Sequence, residues 1–228
     1  VFSNCTGLPT EGEHLTTAYD IALMARELIS HDMIKEFTTI WIDSVRNGEF
    51  GLSNTNKLIR FYEGATGLKT GYTEEAMYCL AATAERDGTE YIAVVMKAPS
   101  SDARFESAKT LLNYAFATYT LIDIAPAEVL PPIPVSLGEV QYVQPVLSEG
   151  GKLLVEKTEA SSVVRKTELE ESLTAPVEAG QVIGRLTIET AGGELLHEEN
   201  IVAGDSVDRL GWFEIFTDYL SLIFTGHL

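Results

Sequence analysis

Four of the chain's eight prolines fall in two short stretches, Ala125-Pro126 and Leu130-Pro131-Pro132-Ile133-Pro134. This cluster constrains the fold more than any other feature. Each proline removes a backbone N–H and fixes φ, so neither a helix interior nor a central strand passes through so many of them. The apolar pattern also changes there. Before the cluster, segments with helical spacing are interleaved with strand-like runs. After it, short alternating segments are separated by glycine turns at Gly150-Gly151, Ala179-Gly180 and Ala191-Gly192-Gly193, as far as about Ala203. The expectation is a mixed α/β region over residues 1–124, a small all-β domain over 125–204 and a terminal helix over 205–228. At 228 residues and 45% hydrophobic, the chain is long enough to bury two cores.

Within the first region, Thr17-x-x-Asp20 reads as a capping box for a helix whose apolar positions Ala18, Ile21, Ala22, Ala25, Leu28 and Ile29 recur at helical spacing, ending near Ser30. A shorter helix follows around Met33 to Phe37. Trp41 to Phe50 alternates like one strand, and Ser53-Asn54-Thr55-Asn56 reads as a polar turn. Gly64 to Thr73 suits a loop entering a strand, its glycines allowing close approach to the backbone. Tyr78 to Ala84 and Tyr91 to Lys97 then form two strands joined through Asp87-Gly88, a hairpin signal. Ser101 or Asp102 caps a long helix whose apolar face (Phe105, Ala108, Leu111, Leu112, Ala115, Phe116) is expected to lie on that sheet.

Charge and composition narrow the function. With 16 Lys and Arg dispersed along a chain of net charge -18, no basic footprint exists for nucleic acid. Cys5 and Cys79 lack metal-ligand spacing and are two free thiols or one long-range disulfide. His14, His31, His197 and His227 are scattered, so no metal site is expected. Glu168, Glu170, Glu171, Glu198 and Glu199 read as solvated faces. Val1-Phe2-Ser3-Asn4 shows neither an initiating Met nor a signal peptide, and the beginning is expected to be missing. From Trp212 to Phe224 the aromatic and aliphatic residues fall on one side of a helical wheel. That segment is expected to lie on a membrane surface, the alternative being a terminal helix packed on the protein.

Lys69-Thr70-Gly71 is a weak signal alone, but its setting is specific. It opens a strand, follows Gly64-x-x-Gly67-Leu68, and precedes a hairpin and a helix that begins around Arg104. Together with Asn4-Cys5-Thr6-Gly7-Leu8-Pro9, Tyr19-Asp20-Ile21-Ala22, Asn54-Thr55-Asn56-Lys57-Leu58-Ile59, Gly67 to Thr73, and Arg104-Phe105 through Leu111-Leu112, it resembles the low-molecular-mass serine-type D-alanyl-D-alanine carboxypeptidases, which are penicillin-binding proteins. The resemblance covers the whole chain. It implies a partial penicillin-binding, β-lactamase-like catalytic domain, followed by a β-sandwich and an amphipathic membrane anchor.

The implied reaction removes the terminal D-Ala of peptidoglycan pentapeptide through an acyl-serine intermediate, with no metal or organic cofactor. The implied partners are the pentapeptide, β-lactam antibiotics as inhibitors of the full-length parent, and a membrane surface. The implied location is extracytoplasmic, on the outer face of the bacterial cytoplasmic membrane. By resemblance, Lys69 supplies positive charge beside the nucleophile and the Thr70 hydroxyl holds the substrate's terminal carboxylate. Gly71 lets the substrate lie against the strand, the Tyr72 backbone N–H serves the oxyanion hole, and Arg104 pairs with the same carboxylate. Arg104 has a second reading, as a helix-start arginine paired with Glu106 or Asp102. Lys97 and Arg60 read as surface charges.

The chain departs from the family in one respect: it contains no Ser-x-x-Lys and no Ser-x-Asn or Tyr-x-Asn. Both motifs are expected upstream of Val1, so the fragment alone is expected to be inactive. The competing readings are a β-lactamase or D,D-endopeptidase of the same fold, or a non-catalytic wall-binding or membrane-anchored module.

Overall fold

The structure is a computed structural model that describes residues 2, 4, 6, 7, 12 and 14–217. Helix α1 (Ala18–Ile29) starts where the sequence places it, because Thr17 Oγ1 accepts from Asp20 N at 3.1 Å while Thr17 N donates to the Asp20 carboxylate at 3.0 Å. After α2 (Asp32–Thr38), the stretch read as one strand is a hairpin, β1 (Ile42–Val45) and β2 (Phe50–Ser53). Arg46, Asn47 and Gly48 between them have φ of 54°, 57° and 91°. Asn and Gly tolerate that left-handed region, so the chain reverses where alternation alone suggested continuity.

Helix α3 (Leu58–Phe61) leads into the antiparallel sheet β3 (Ala65–Thr73), β4 (Met77–Arg86) and β5 (Thr89–Ala98), in that spatial order. Asp87 and Gly88 have φ of 51° and 73°, both positive as a two-residue hairpin turn requires. Helix α4 (Ser101–Thr118) is capped by Ser100, which accepts from Ala103 N at 3.1 Å, one residue before the earliest cap expected. Leu80, Ala82 and Ala84 alternate along β4 toward the cluster that contains Phe105, Ala108 and Leu112 of α4. The two β4 alanines keep that contact close. Leu111, expected on the apolar face, is 47% exposed, so the buried stripe is narrower than the sequence suggested.

The chain divides into two units, Val1–Tyr119 and Thr120–Leu228. The second contains β6 (Tyr119–Asp123), β7 (Ile133–Ser136), β8 (Tyr142–Val143), β9 (Pro145–Leu147) and β10 (Lys152–Glu156), with β6 beginning at the junction. After a short helix α5 (Lys157–Ala160) come β11 (Val164–Leu169), β12 (Leu173–Thr174), β13 (Val182–Glu189) and β14 (Leu195–Ala203). They form sheets ordered β11-β13-β14-β9, β12-β7-β8 and β10-β6. Ile183, Leu186, Ile188 and Ile201 are the deepest large core residues, each at most 1% exposed.

Glu199, read from sequence as solvated, is 8% exposed and points into this unit. One carboxylate oxygen accepts from Glu149 N and Gly150 N at 2.6 Å each and from Ser148 Oγ at 3.3 Å, while the other lies 3.6 Å from His197 Nε2. Burial pushes this carboxyl up, but the hydrogen bonds from Gly150 and Glu149 outweigh that and hold it below the usual range. Residues 212–217 are helical, and the rest of the amphipathic segment, like Cys5, lies outside the described residues. Among the described residues no helix is long and apolar enough to cross a membrane.

Candidate active site

Strand β3 is an edge of its sheet, so Lys69, Thr70, Gly71 and Tyr72 sit on a strand with one side unpaired by other strands. Two glycines upstream have structural causes. A Cβ on Gly64, whose φ is 78°, would stand 2.3 Å from Glu85 O, and one on Gly67 would stand 3.0 Å from Thr83 Oγ1. Gly71 differs: its φ is not positive, and an added Cβ would meet nothing nearer than Cys79 Cβ at 3.8 Å. The fold has room for a side chain there.

The loop before α3, read from sequence as a turn, adds side-chain support to this strand beyond its ladder with β4. Asn56 is 1% exposed; its Nδ2 donates to Gly67 O at 2.7 Å and its Oδ1 accepts from Leu58 N at 3.2 Å. Thr55 Oγ1 lies 2.7 Å from Thr70 Oγ1. Asn54 Nδ2 donates to Thr38 O and Ile40 O, and Thr38 Oγ1 donates to Thr66 O at 2.6 Å. The Asn54-Thr55-Asn56 run held a signal for this, since amides spaced two apart before a helix satisfy backbone groups locally. Its long-range partners could not be seen. Farther back, Thr66 Oγ1 donates to Glu90, whose carboxylate also meets Lys35 Nζ at 2.8 Å. The bond to Glu90, ahead of the opposing effect of burial, raises the Lys35 ammonium above its ordinary value.

Arg104 is 7% exposed and pairs with neither Glu106 nor Asp102. Asp102 takes Lys57 and Glu106 takes Lys109 instead, so the second reading of this arginine is overturned. Its Nη1 donates to Gly71 O at 3.1 Å and to Cys79 O at 3.2 Å, and its guanidinium lies over the rings of Phe105 and Tyr78 at 4.9 and 5.5 Å. Nε is buried without a partner, and Nη2 makes no hydrogen bond among the described residues. Burial lowers this guanidinium's pKa, without removing its charge.

The Lys69 side chain is exposed, with Nζ held by the neighbouring Thr70 O. The Tyr72 ring is 58% exposed and tilts against Tyr78 at 4.6 Å. Lys97 and Arg60 are exposed, and Lys97 meets the neighbourhood only through its backbone N–H, which donates to Cys79 Sγ at 3.5 Å. Sγ of Cys79, across from Gly71 on β4, donates to Ala76 O at 3.3 Å and has no disulfide partner among the described residues.

An edge strand carrying Lys-Thr-Gly, backed by a hairpin and by a helix whose arginine is bonded to that strand, is the arrangement expected of the penicillin-recognising fold. The comparisons narrow this class. Residues 1–100 match the D-alanyl-D-alanine carboxypeptidase family, and residues 124–209 match the C-terminal domain of penicillin-binding protein 5. The D-alanyl-D-alanine carboxypeptidase DacF of Bacillus subtilis is 35% identical over 216 residues, covering 92% of this chain and 55% of the relative. DacC of Escherichia coli is 26% identical over 226 residues, covering 98% and 56%.

Among solved structures, penicillin-binding protein 5 of Haemophilus influenzae aligns with a TM-score of 0.71 at 24% identity, covering 85% of this chain and 57% of that one. The peptidoglycan synthesis regulatory factor PBP3 of Streptococcus pneumoniae aligns at 0.61 and 28% identity, covering 89% and 60%. The chain spans a little over half the length of the curated relatives it matches. These matches make the chain similar, over both of its parts, to the low-molecular-mass penicillin-binding proteins of the D-alanyl-D-alanine carboxypeptidase kind.

Proposed function

We propose that these residues are the substrate-holding part of a serine-type D-alanyl-D-alanine carboxypeptidase that removes the terminal D-Ala of peptidoglycan pentapeptide through an acyl-serine intermediate. The observation that carries this reading is Gly71, a glycine on an exposed strand edge that the fold itself does not require. Its missing side chain is explained by a ligand backbone laid against β3. Thr70 Oγ1, poised by Thr55, and Arg104 Nη2 take the substrate's terminal carboxylate, and the Tyr72 N–H is one oxyanion donor. Lys69, exposed and held by one backbone carbonyl, turns its charge toward the nucleophile and relay groups.

The serine is supplied from outside these 228 residues. In support, Leu23, Met24, Leu28, Met33 and Phe37 on α1 and α2 are between 38% and 64% exposed, an apolar surface that a further part of the catalytic domain would cover. The domain limits proposed are 1–124 for the catalytic portion, 125–204 for a β-sandwich and 205–228 for an amphipathic helix. Trp212, Phe213 and Phe216, each more than half exposed on residues 212–217, support membrane-surface attachment on the extracytoplasmic side.

A gel with fluorescent penicillin tests the reading. The protein that carries these residues together with its serine motif is expected to label, and this fragment to stay unlabelled. An intact protein that stays unlabelled under active conditions sinks the proposal. Product analysis on a pentapeptide against a cross-linked dimer separates carboxypeptidase from endopeptidase, and β-lactam turnover identifies a β-lactamase.

A further inference from the structure

The second unit holds a cavity of about 380 Å³ between segment 127–131 and strand β11, lined on the strand side by Arg165, Thr167 and Leu169. Those three residues face one side of the strand and pair in register with Ile188, Leu186 and Gly184 of β13, of which Ile188 and Leu186 are fully buried. They therefore continue the core face of the sheet to its edge. Thr167 is nonetheless exposed, so the core layer ends before it reaches β11.

The charges there are uneven. Lys166 and Arg185 are paired with Glu189 and Glu198, at 2.5 and 3.3 Å. Arg165 makes no ion pair among the described residues, and its one hydrogen bond, from Nη2 to Asp123 O, is long at 3.4 Å. A half-buried cation without a carboxylate partner stands out in a chain of net charge -18. Backbone groups are also available. β11 is a sheet edge, and the N–H groups of residues 127–130 donate to no backbone acceptor among the described residues. Glu128 also borders the cavity and, being exposed, has freedom to turn outward.

We propose that this cleft binds an extended peptide with a free carboxylate. The carboxylate pairs with Arg165, the peptide backbone runs along the open edge of β11, and a small side chain rests on Leu169 and Thr167. The proposal is independent of the reading of the Lys69 strand, because every group it uses lies in the second unit.

Amide chemical shifts of the 228-residue chain, titrated with the tripeptide Ala-Glu-Ala, test it. Saturable shifts confined to residues 127–130 and 164–169 are expected. A fully amidated Ala-Gln-Ala and the variant Arg165→Gln are each expected to weaken binding about tenfold or more, since a charge-assisted pair is lost. Thr167→Glu, at an exposed position that tolerates the change, is expected to abolish binding by setting a competing carboxylate beside Arg165. The proposal is overturned by the absence of saturable shifts at millimolar peptide, by equal binding of the amidated peptide, or by binding that survives Thr167→Glu. Acetate binding as tightly as the tripeptide would also overturn it, since the site would then read an anion and no peptide.

Discussion

Replacing Gly71 by alanine distinguishes a glycine required by packing from one kept small for a substrate. The new Cβ would stand 3.8 Å from Cys79 Cβ, an ordinary van der Waals contact, at a position without positive φ. Alanine in such a place restricts the unfolded chain more than the folded one, so stability should rise by about 0.4 to 1 kcal/mol. The same change at Gly64, with φ of 78° and a Cβ 2.3 Å from Glu85 O, should destabilise by several times that amount. On the open edge of β3 the methyl group occupies space assigned to the substrate backbone. Acylation by fluorescent penicillin, followed over time in the protein that carries the serine motif, should slow about tenfold or more, equivalent to about 1.4 kcal/mol. Two assays are therefore paired: melting of the chain and labelling of the whole protein. An unchanged labelling rate would refute the role given to Gly71, and a stability loss above about 1 kcal/mol would show that packing keeps it small.

Three further outcomes follow from the contacts. Asn56→Ala orphans Gly67 O and Leu58 N in a site 1% exposed. At about 1 to 3 kcal/mol per unsatisfied group, urea unfolding should report a loss of roughly 2 to 6 kcal/mol, and a loss below about 1 would contradict the pin. The Glu199 carboxyl is held below its ordinary value in the folded state. Its contribution is present above the unfolded pKa near 4.3 and is lost as pH falls through the lower folded value. Glu199→Gln should therefore cost about 1 to 3 kcal/mol at neutral pH and progressively less in acid, and a gap constant from pH 7 to about pH 3 would exclude the charged bonds as its source. Arg104→Lys keeps a cation but loses the planar group that spans Gly71 O and Cys79 O. It should destabilise by about 1 to 3 kcal/mol and speed amide exchange along β3, whereas unchanged exchange would mean that the arginine does not hold that strand.

Features governed by near neighbours were legible in the sequence. The Thr17-Asp20 box closes over three residues, the Asp87-Gly88 turn over two, and the period-two burial of Leu80, Ala82 and Ala84 follows from the pleat of one strand. Asn47-Gly48 is also local, and the alternation around it outweighed a turn signal that was there to be read. The Lys69 to Tyr72 strand was legible for another reason: its order relative to the hairpin and the following helix is a linear property of the chain.

Other features depend on distance in space rather than in sequence. Sequence placed Arg104 at a helix start beside two carboxylates, and the tertiary structure turned it inward to carbonyls 33 and 25 positions away. Burial left the guanidinium little water, so backbone acceptors on the sheet take its Nη1. Glu199 looked like one of several surface acids until folding brought the N–H groups of Glu149 and Gly150 to it from about 50 residues away. Asn56 looked like part of a polar turn, and its amide spans 11 residues to hold Gly67. By itself the sequence determined most of the helices and strands and set Lys69, Thr70, Gly71 and Tyr72 together on one strand, since these rest on local geometry and side-chain chemistry. The three-dimensional packing alone decided which polar groups are buried and what satisfies them, because that depends on which distant carbonyl or N–H the fold delivers to each one.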